Sequence, residues 1–589
     1  MITRLFDIVD QRQKDEPDAV MLAAKENGKW KTYSCRQVWD TANSLSSGLL
    51  SLGIQNEILQ PDQQEKIAII SPNRPEWIIT DIAVQLCGAV LTPIYPTISA
   101  HELAFVLNEA QVKTVFLADQ ELLNRFSSVF SEVPTVQHIF SFDPVNGATD
   151  WKTLLKNSQQ QETSVRSRIT SDTLATIIYT SGTTGDPKGV MLSHKNIVSN
   201  VQDSMPEFCF AEKGGKALSF LPLNHIFERM VSYVYLQEGI AIYYAESMET
   251  IGDNLREVQP IVFTTVPRLL EKVYEKILAK GLELKGIKRA LFFWALDLGR
   301  RYDNVNTGSW WYRWQLSIAN KLVFSKWREA LGGKVKAIVT GSAACQERLL
   351  RIFTAAGIVI MEGYGLTETS PVISVNQYVS SGRRIGTIGP VLRNVEVKIA
   401  EDGEILTRGN NVMMGYYKKP ELTAEALKDG WFRTGDIGEW VEGRFLKITD
   451  RKKEMFKTSG GKYVAPQPIE NKMKESLFIE QIMVVGAGRK FTGALIVPAF
   501  GHVRSYLKDK KIAIPEGNEA LIMLPEVHQL IRRQLDKYNV DFSHVEQVKK
   551  FVLLADEWTI DTGELTPSLK IKRKVIEKKY GDEIEKMYG

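Results

Sequence analysis

The sequence predicts an α/β protein, with a large N-terminal multi-subdomain α/β domain over about residues 1–449 and a smaller α+β C-terminal domain over 450–589. Three observations support this. A chain of 589 residues is too long for one hydrophobic core. Short apolar runs of buried-strand type alternate with stretches of helical period. Near Asp450, the hairpin-like Trp440-Val441-Glu442-Gly443-Arg444-Phe445 gives way to the charged run Arg451-Lys452-Lys453-Glu454, which suits a solvated connection.

Taken in order, Glu65-Lys66-Ile67-Ala68-Ile69-Ile70-Ser71 is a short apolar run that ends at Pro72-Asn73 and reads as a strand. Ser99-Ala100-His101-Glu102 matches a capping box, in which a serine hydroxyl and a glutamate three residues on satisfy each other's backbone N–H groups. It opens an amphipathic stretch to about Ala110, and residues 112–118 return as a strand, giving a β-α-β unit. Segments 174–180, 335–340 and 358–362 read as later strands. Pro267 followed by Leu270, Val273, Tyr274 and Ile277 predicts a helix with Gly281 as its stop signal.

Composition narrows the function. Lys plus Arg number 74 and Asp plus Glu 70, a net charge of +4 that speaks against nucleic acid as a partner bound through its phosphates. Cys35, Cys87, Cys209 and Cys345 lie far apart with no Cys-x-x-Cys pair, which fits a reducing cytoplasm rather than a disulfide framework or zinc site. Acids interrupt the first ten residues too early for a secretory leader, and no stretch approaches the ~20 apolar residues of a membrane span. The expectation is a cytoplasmic protein, with peripheral contact to the cytoplasmic membrane face left open.

Tyr179-Thr180-Ser181-Gly182-Thr183-Thr184-Gly185-Asp186-Pro187-Lys188-Gly189 follows a strand and is rich in hydroxyls and glycines. Glycines let backbone N–H groups approach a phosphate, hydroxyls donate further hydrogen bonds, and lysine adds charge. The spacing is not that of a Walker A loop, because Asp186-Pro187 precede the lysine. Alone, such a loop reads more readily as a flexible turn.

The segment resembles the phosphate loop of the acyl-adenylate-forming superfamily, which includes acyl-CoA synthetases, luciferases and peptide-synthetase adenylation domains. Other signatures of that superfamily follow in order, from Tyr179 to Lys574. Within it, Leu221-Pro222-Leu223-Asn224-His225-Ile226-Phe227-Glu228-Arg229 and Gly563-Glu564-Leu565-Thr566-Pro567-Ser568-Leu569-Lys570-Ile571-Lys572-Arg573 resemble the long-chain fatty acyl-CoA synthetases. The resemblance implies ATP-dependent activation of a fatty acid to acyl-AMP, then transfer to CoA, with Mg²⁺ as the metal. Two alternatives stand beside it: an acyl-AMP ligase loading a carrier protein, and a non-catalytic fatty-acid-binding or scaffolding protein.

The resemblance also implies roles for residues. Thr180, Ser181, Gly182, Thr183, Thr184 and Lys188 would cradle phosphates. Thr367 would donate to the α-phosphate, and Glu368, with Thr180, would hold Mg²⁺, which prefers a carboxylate plus substrate phosphates. Gly341, Ser342 and Ala343 would face Glu362, Gly363 and Tyr364 across the adenine. Asp436 and Arg451 would hold the ribose, and Lys457 would add a phosphate contact. Lys453 would be the hinge of a mobile C-terminal domain, although a solvated charge run is the alternative for both lysines. Lys570 would bridge the substrate carboxylate and the α-phosphate, Gly460 and Gly461 would line the thioester-forming face, and His225 would sit beside the acyl carbonyl. Phe227, Tyr233 and Tyr235 are expected along the acyl tunnel.

Segment 281–331 holds five of the twelve tryptophans, Trp294, Trp310, Trp311, Trp314 and Trp327, among many Lys and Arg. This composition fits an amphipathic surface at a bilayer. A helical pair packed on the main domain fits it equally.

Overall fold

A computed structural model describes residues 2–54, 58–156, 162–180, 187–306, 308–559, 562–566 and 570–589. Two eight-stranded sheets and one five-stranded sheet build the N-terminal domain. The first eight-stranded sheet has the spatial order Gly415–Tyr416, Lys188–Ser193, Leu174–Thr180, Val90–Ile94, Lys66–Ile70, Thr114–Leu117, His138–Ser141 and Thr149–Asp150. The second runs Val372–Val375, Val359–Gly365, Ala337–Thr340, Val262–Thr265, Lys216–Ser219, Ala241–Tyr244, Val20–Glu26 and Lys29–Ser34. Their central strands are parallel and buried along their whole length, as a sheet covered by helices on both faces requires. The third sheet is antiparallel and includes Trp431–Val441 paired with Phe445–Arg451.

The C-terminal domain is α+β. Strands Ile479–Val485, Thr492–Pro498 and Val548–Leu553 form a sheet with helices that include Pro466–Met473 and Pro525–Asn539, around a core of its own that includes Ile469, Leu495, Leu530 and Ile576. It meets the larger domain through an Arg268–Glu480 ion pair and through Arg348, whose guanidinium donates to the Glu475 carbonyl.

The helix expected after the capping box is Ala100–Ala110. Ser99 Oγ accepts from the Glu102 N–H at 3.2 Å, and the Glu102 carboxylate accepts from the Ser99 N–H at 3.4 Å. The strand ending at the glycine-rich loop is Leu174–Thr180, as expected. The two strands expected for the first β-α-β unit, Lys66–Ile70 and Thr114–Leu117, are parallel neighbours, but in sequence helix Pro75–Leu86 and strand Val90–Ile94 intervene between them. Eleven residues of that helix, Pro75 and Trp77 to Leu86, are buried. A helix buried all round shows no apolar stripe, so its period was invisible. Gly281 does not stop its helix, which continues over Pro267–Glu283. A Cβ there would lie 2.0 Å from the Phe292 ring, so this glycine is present to let another helix approach. The strand Phe445–Arg451 also runs two residues past the end expected for the first domain.

Asp81 on helix Pro75–Leu86 and Arg229 on helix Ile226–Gln237 form an ion pair with no exposed side-chain surface. Arg229 Nε donates to Asp81 Oδ2 at 2.8 Å and Nη2 to Oδ1 at 2.6 Å, and the Tyr233 hydroxyl donates to Oδ2 at 2.9 Å. Gln85 donates both to Asp81, at 3.1 Å, and to the carbonyl of Ala175 in the strand leading to the glycine-rich loop, at 3.0 Å. Asp81→Ala leaves a buried guanidinium without its counter-charge. It is expected to cost about 3–5 kcal/mol, read as a fall in the urea midpoint. A loss within the range of a surface substitution would show that the pair holds nothing.

Candidate active site

Thr180 and Lys188 pair across the hairpin formed by Leu174–Thr180 and Lys188–Ser193, so both ends of the glycine-rich loop start from one place. The loop residues Ser181, Gly182, Thr183 and Thr184 lie outside the described residues. The Lys188 ammonium sits 5.4 Å from the centroid of the Tyr416 ring. The Tyr416 hydroxyl in turn donates to Glu368 Oε1 at 2.9 Å. Tyr416 thus joins the two groups at the loop base, and sequence reading missed it. It arrives on the short edge strand Gly415–Tyr416, which pairs with Val190 and Met191. Thr367 and Glu368 follow strand Val359–Gly365 in a short 3₁₀ turn.

The Gly341-Ser342-Ala343 loop follows strand Ala337–Thr340, and Glu362, Gly363 and Tyr364 lie on the neighbouring parallel strand, with Thr340 paired to Glu362. Ser342 has a φ of +70°, a left-handed conformation unusual for a residue with a side chain. A Cβ on Gly341 would lie 3.5 Å from the Gly363 carbonyl oxygen, so the two loops are close neighbours. Glu362 differs from its expected place against a nucleotide. Its carboxylate turns inward and accepts from the Cys345 N–H at 2.7 Å, and burial pushes it up to about 8. It braces the loop 341–345 from behind. Gly365 has no room for any other residue, since a Cβ would lie 1.7 Å from the Pro371 carbonyl oxygen.

Asp436 is engaged at both oxygens. The Tyr364 hydroxyl donates to Oδ2 at 2.6 Å and Arg451 Nε donates to Oδ1 at 2.9 Å. Three residues distant in sequence are therefore locked together beside the two loops.

His225 caps helix Ile226–Gln237, with Nδ1 accepting from the Phe227 N–H at 3.1 Å. Burial pushes its imidazole down to about 4, helped by the nearby Lys570 ammonium. It is therefore neutral at pH 7, and with Nδ1 accepting, its proton resides on Nε2, free to donate. Lys570, from the C-terminal domain, keeps solvent-accessible surface while protein crowds it closely, as a side chain in a cleft does. Desolvation pushes its ammonium down to about 8, Arg451 adds to this, and Asp436 and Glu454 oppose it. The structure thus brings His225, Asp436, Arg451 and Lys570 to one place.

Other expected residues lie elsewhere. Tyr233 and Tyr235 are fully buried in the core and Tyr233 is held by Asp81, which removes them as accessible tunnel lining; Phe227 does reach the Gly341 loop, 3.6 Å from where a Cβ there would stand. Lys453, Lys457, Gly460 and Gly461 are exposed. Around Lys453 the chain changes anchorage. Lys452 pairs with Asp402 and Glu404 of the large domain at 2.6 and 3.0 Å, and Glu454 accepts from Arg573 of the small domain at 3.2 Å. Among the described residues no cluster of three or more His, Cys, Asp or Glu could hold a metal by itself. A single carboxylate, Glu368, fits a cation that takes most of its ligands from phosphate and water.

The chain belongs to the AMP-binding enzyme family: that family's model matches residues 9–417, and the model of the AMP-binding enzyme C-terminal domain matches 454–589. It is 33% identical to the long-chain-fatty-acid–CoA ligase FadD15 of Mycobacterium bovis, over 99% of this chain and 96% of that protein. It is likewise 33% identical to long-chain-fatty-acid–CoA ligase 5 of Rattus norvegicus, over 96% of this chain and 85% of that one. Its fold is that of the adenylation domain of a carboxylate reductase from Mycobacterium chelonae, with a TM-score of 0.76 at 20% identity, covering 99% of this chain and 91% of that one.

A lysine depressed to about 8 is charged below that pH and neutral above it. If its charge serves the first chemical step, kcat/KM for ATP in acyl-AMP formation is expected to fall as pH rises through about 8, because kcat/KM reports the free enzyme. A descent delayed to the ordinary lysine range would contradict this.

Proposed function

We propose that this chain is an AMP-forming long-chain fatty acid–CoA ligase. The observation that carries the reading is the position of Lys570: its ammonium, carried by the C-terminal domain, lies close enough to His225, Asp436 and Arg451 for their charges to act on one another. The full-length kinship with fatty-acid–CoA ligases supports the substrate.

Joining a carboxylate oxygen to the α-phosphorus of ATP, with pyrophosphate as the leaving group, brings two anions together, so positioning and charge neutralisation do most of the work. Asp436, oriented by Tyr364 and Arg451, holds the ribose hydroxyls. The loops at Gly341 and Gly363 take the adenine between them, with Glu362 bracing one from behind. Lys188 and the loop Thr180, Ser181, Gly182, Thr183 and Thr184 hold the phosphates, and Thr367 donates to the α-phosphate. Glu368 and Thr180 would hold Mg²⁺, which would supply further charge neutralisation at the phosphates. Lys570 spans the carboxylate and the α-phosphate. His225 donates from Nε2 toward the acyl carbonyl oxygen and excludes water there.

Thioester formation needs a different face. With Lys453 between the two anchored ends, the C-terminal domain beyond it turns relative to the large domain. It withdraws Lys570 and presents Gly460 and Gly461, whose lack of side chains lets a narrow thiol arm pass. CoA thiolate then attacks the acyl-AMP and AMP leaves. Lys457 adds a phosphate contact. Peripheral contact with a membrane through 281–331 belongs to the same reading, since long-chain acids partition into bilayers.

AMP and thioester release with ATP, Mg²⁺ and CoA, measured from acetate to oleate, is expected to favour the long acids. Activity confined to short or aromatic acids would overturn the substrate and keep the adenylation. Lys570→Ala is expected to slow acyl-AMP formation by on the order of 10² while sparing thioester formation from supplied acyl-AMP. Equal loss in both half-reactions would remove the role assigned to this lysine.

A further inference from the structure

Helix Trp310–Ala319 presents two faces of opposite character. Inward, the Tyr312 hydroxyl donates to the Leu298 carbonyl at 2.8 Å, and Ala319, Phe324 and Trp327 are buried in the core of the second sheet. Outward, Trp310, Trp311 and Trp314 are 71%, 50% and 51% exposed, and Leu322 in the continuing turn is 53% exposed. The three- and four-residue spacings of Trp310, Trp311 and Trp314 put them on one side of the helix. Their rings touch: Trp311 and Trp314 stack at 4.8 Å, and Trp310 meets Trp311 edge-on at 5.6 Å. Helical pair and exposed amphipathic surface are therefore both present, on opposite faces.

The large apolar side chains exposed in this protein concentrate here. Among the described residues seven of seventeen fall within 281–331, and the three indoles among them touch one another, which makes a patch rather than scattered single residues. The same segment carries nine Lys and Arg against four Asp and Glu, a surplus of five, whereas the whole chain has a net charge of only +4. A second copy of this surface would face it with like charge. No helix among the described residues is long and apolar enough to cross a membrane.

We propose that the outer face of helix Trp310–Ala319 docks on an anionic lipid surface, the indoles entering the headgroup layer while Arg313 and Lys321 meet lipid phosphates. Indoles favour that layer, and basic residues beside them add attraction that salt screens. The inference deepens the ligase reading, resting on it for the benefit of docking: it brings the enzyme to the phase that holds its acid.

The full chain is sedimented with vesicles of phosphatidylcholine alone and of phosphatidylcholine with an equal part of phosphatidylglycerol. Ligase activity is read separately on detergent-dispersed acid, so a failure of docking and a failure of the ligase reading stay distinguishable. Expected is binding to the anionic vesicles that weakens with salt, with a blue shift of tryptophan emission. Trp310→Ser/Trp311→Ser/Trp314→Ser is expected to weaken it about tenfold or more with unchanged thermal unfolding and unchanged activity on dispersed acid. Arg313→Glu/Lys321→Glu is expected to remove the preference for anionic over neutral vesicles. Wild-type protein that ignores both vesicles, a triple variant that binds as before, or a wild-type dimer that the triple variant converts to monomer would overturn the proposal.

Discussion

The buried pair of Asp81 and Arg229 sets the geometry on which the candidate site depends. Removing two charges from water is costly, and the pair persists because each oxygen of Asp81 is satisfied by a guanidinium contact and further donors. Arg229 lies one helical turn after His225, so a guanidinium that cannot rotate fixes the helix phase and with it the direction of the imidazole. Gln85 extends the same network to the strand that ends at Thr180. Asn224 adds a hydrogen bond of 2.6 Å to the Ile94 carbonyl, one strand over. One desolvated network therefore holds the start of the glycine-rich loop and the His225 cap in a common frame.

Around that frame the electrostatics are lopsided. Lys188, Arg451 and Lys570 bring positive charge, His225 is neutral, and Asp436 is already shared between Tyr364 and Arg451. Desolvation first, and repulsion from Arg451 second, are why Lys570 gives up its proton more readily than an ordinary lysine. A polyanion entering the cleft reverses that balance and makes the lysine a stronger base. Substrate and proton thus favour each other's binding.

Much of this could be read from the sequence, and the parts that could not share a cause. The Ser99 cap and the strand Leu174–Thr180 depend on local chemistry that neighbouring residues declare. The ordered motifs named Asp436, Arg451 and Lys570, and the structure brings these three together, with His225 beside them. Helix Pro75–Leu86 was hidden because burial on all sides erases amphipathic period. Gly281 looked like a stop because its real constraint, the Phe292 ring, belongs to another helix. Tyr416 and the inward turn of Glu362 depend on strand pairing between remote segments. Tyr233 looked like tunnel lining until its hydroxyl proved committed to Asp81. In each miss the deciding partner belongs to another element of the fold.

The crossing between domains is pinned on either side of one residue. Lys452 is clamped to Asp402 and Glu404, and Glu454 is clamped to Arg573, which leaves Lys453 between two fixed ends. For the proposed turn, such a crossing would serve as an axle rather than a tether. The turn would be concentrated into a few backbone torsions, and the small domain beyond would act as a lever carrying Lys570. A tether would let that ammonium wander over a volume; an axle would confine it to an arc, so that its arrival in the cleft would be a matter of angle alone.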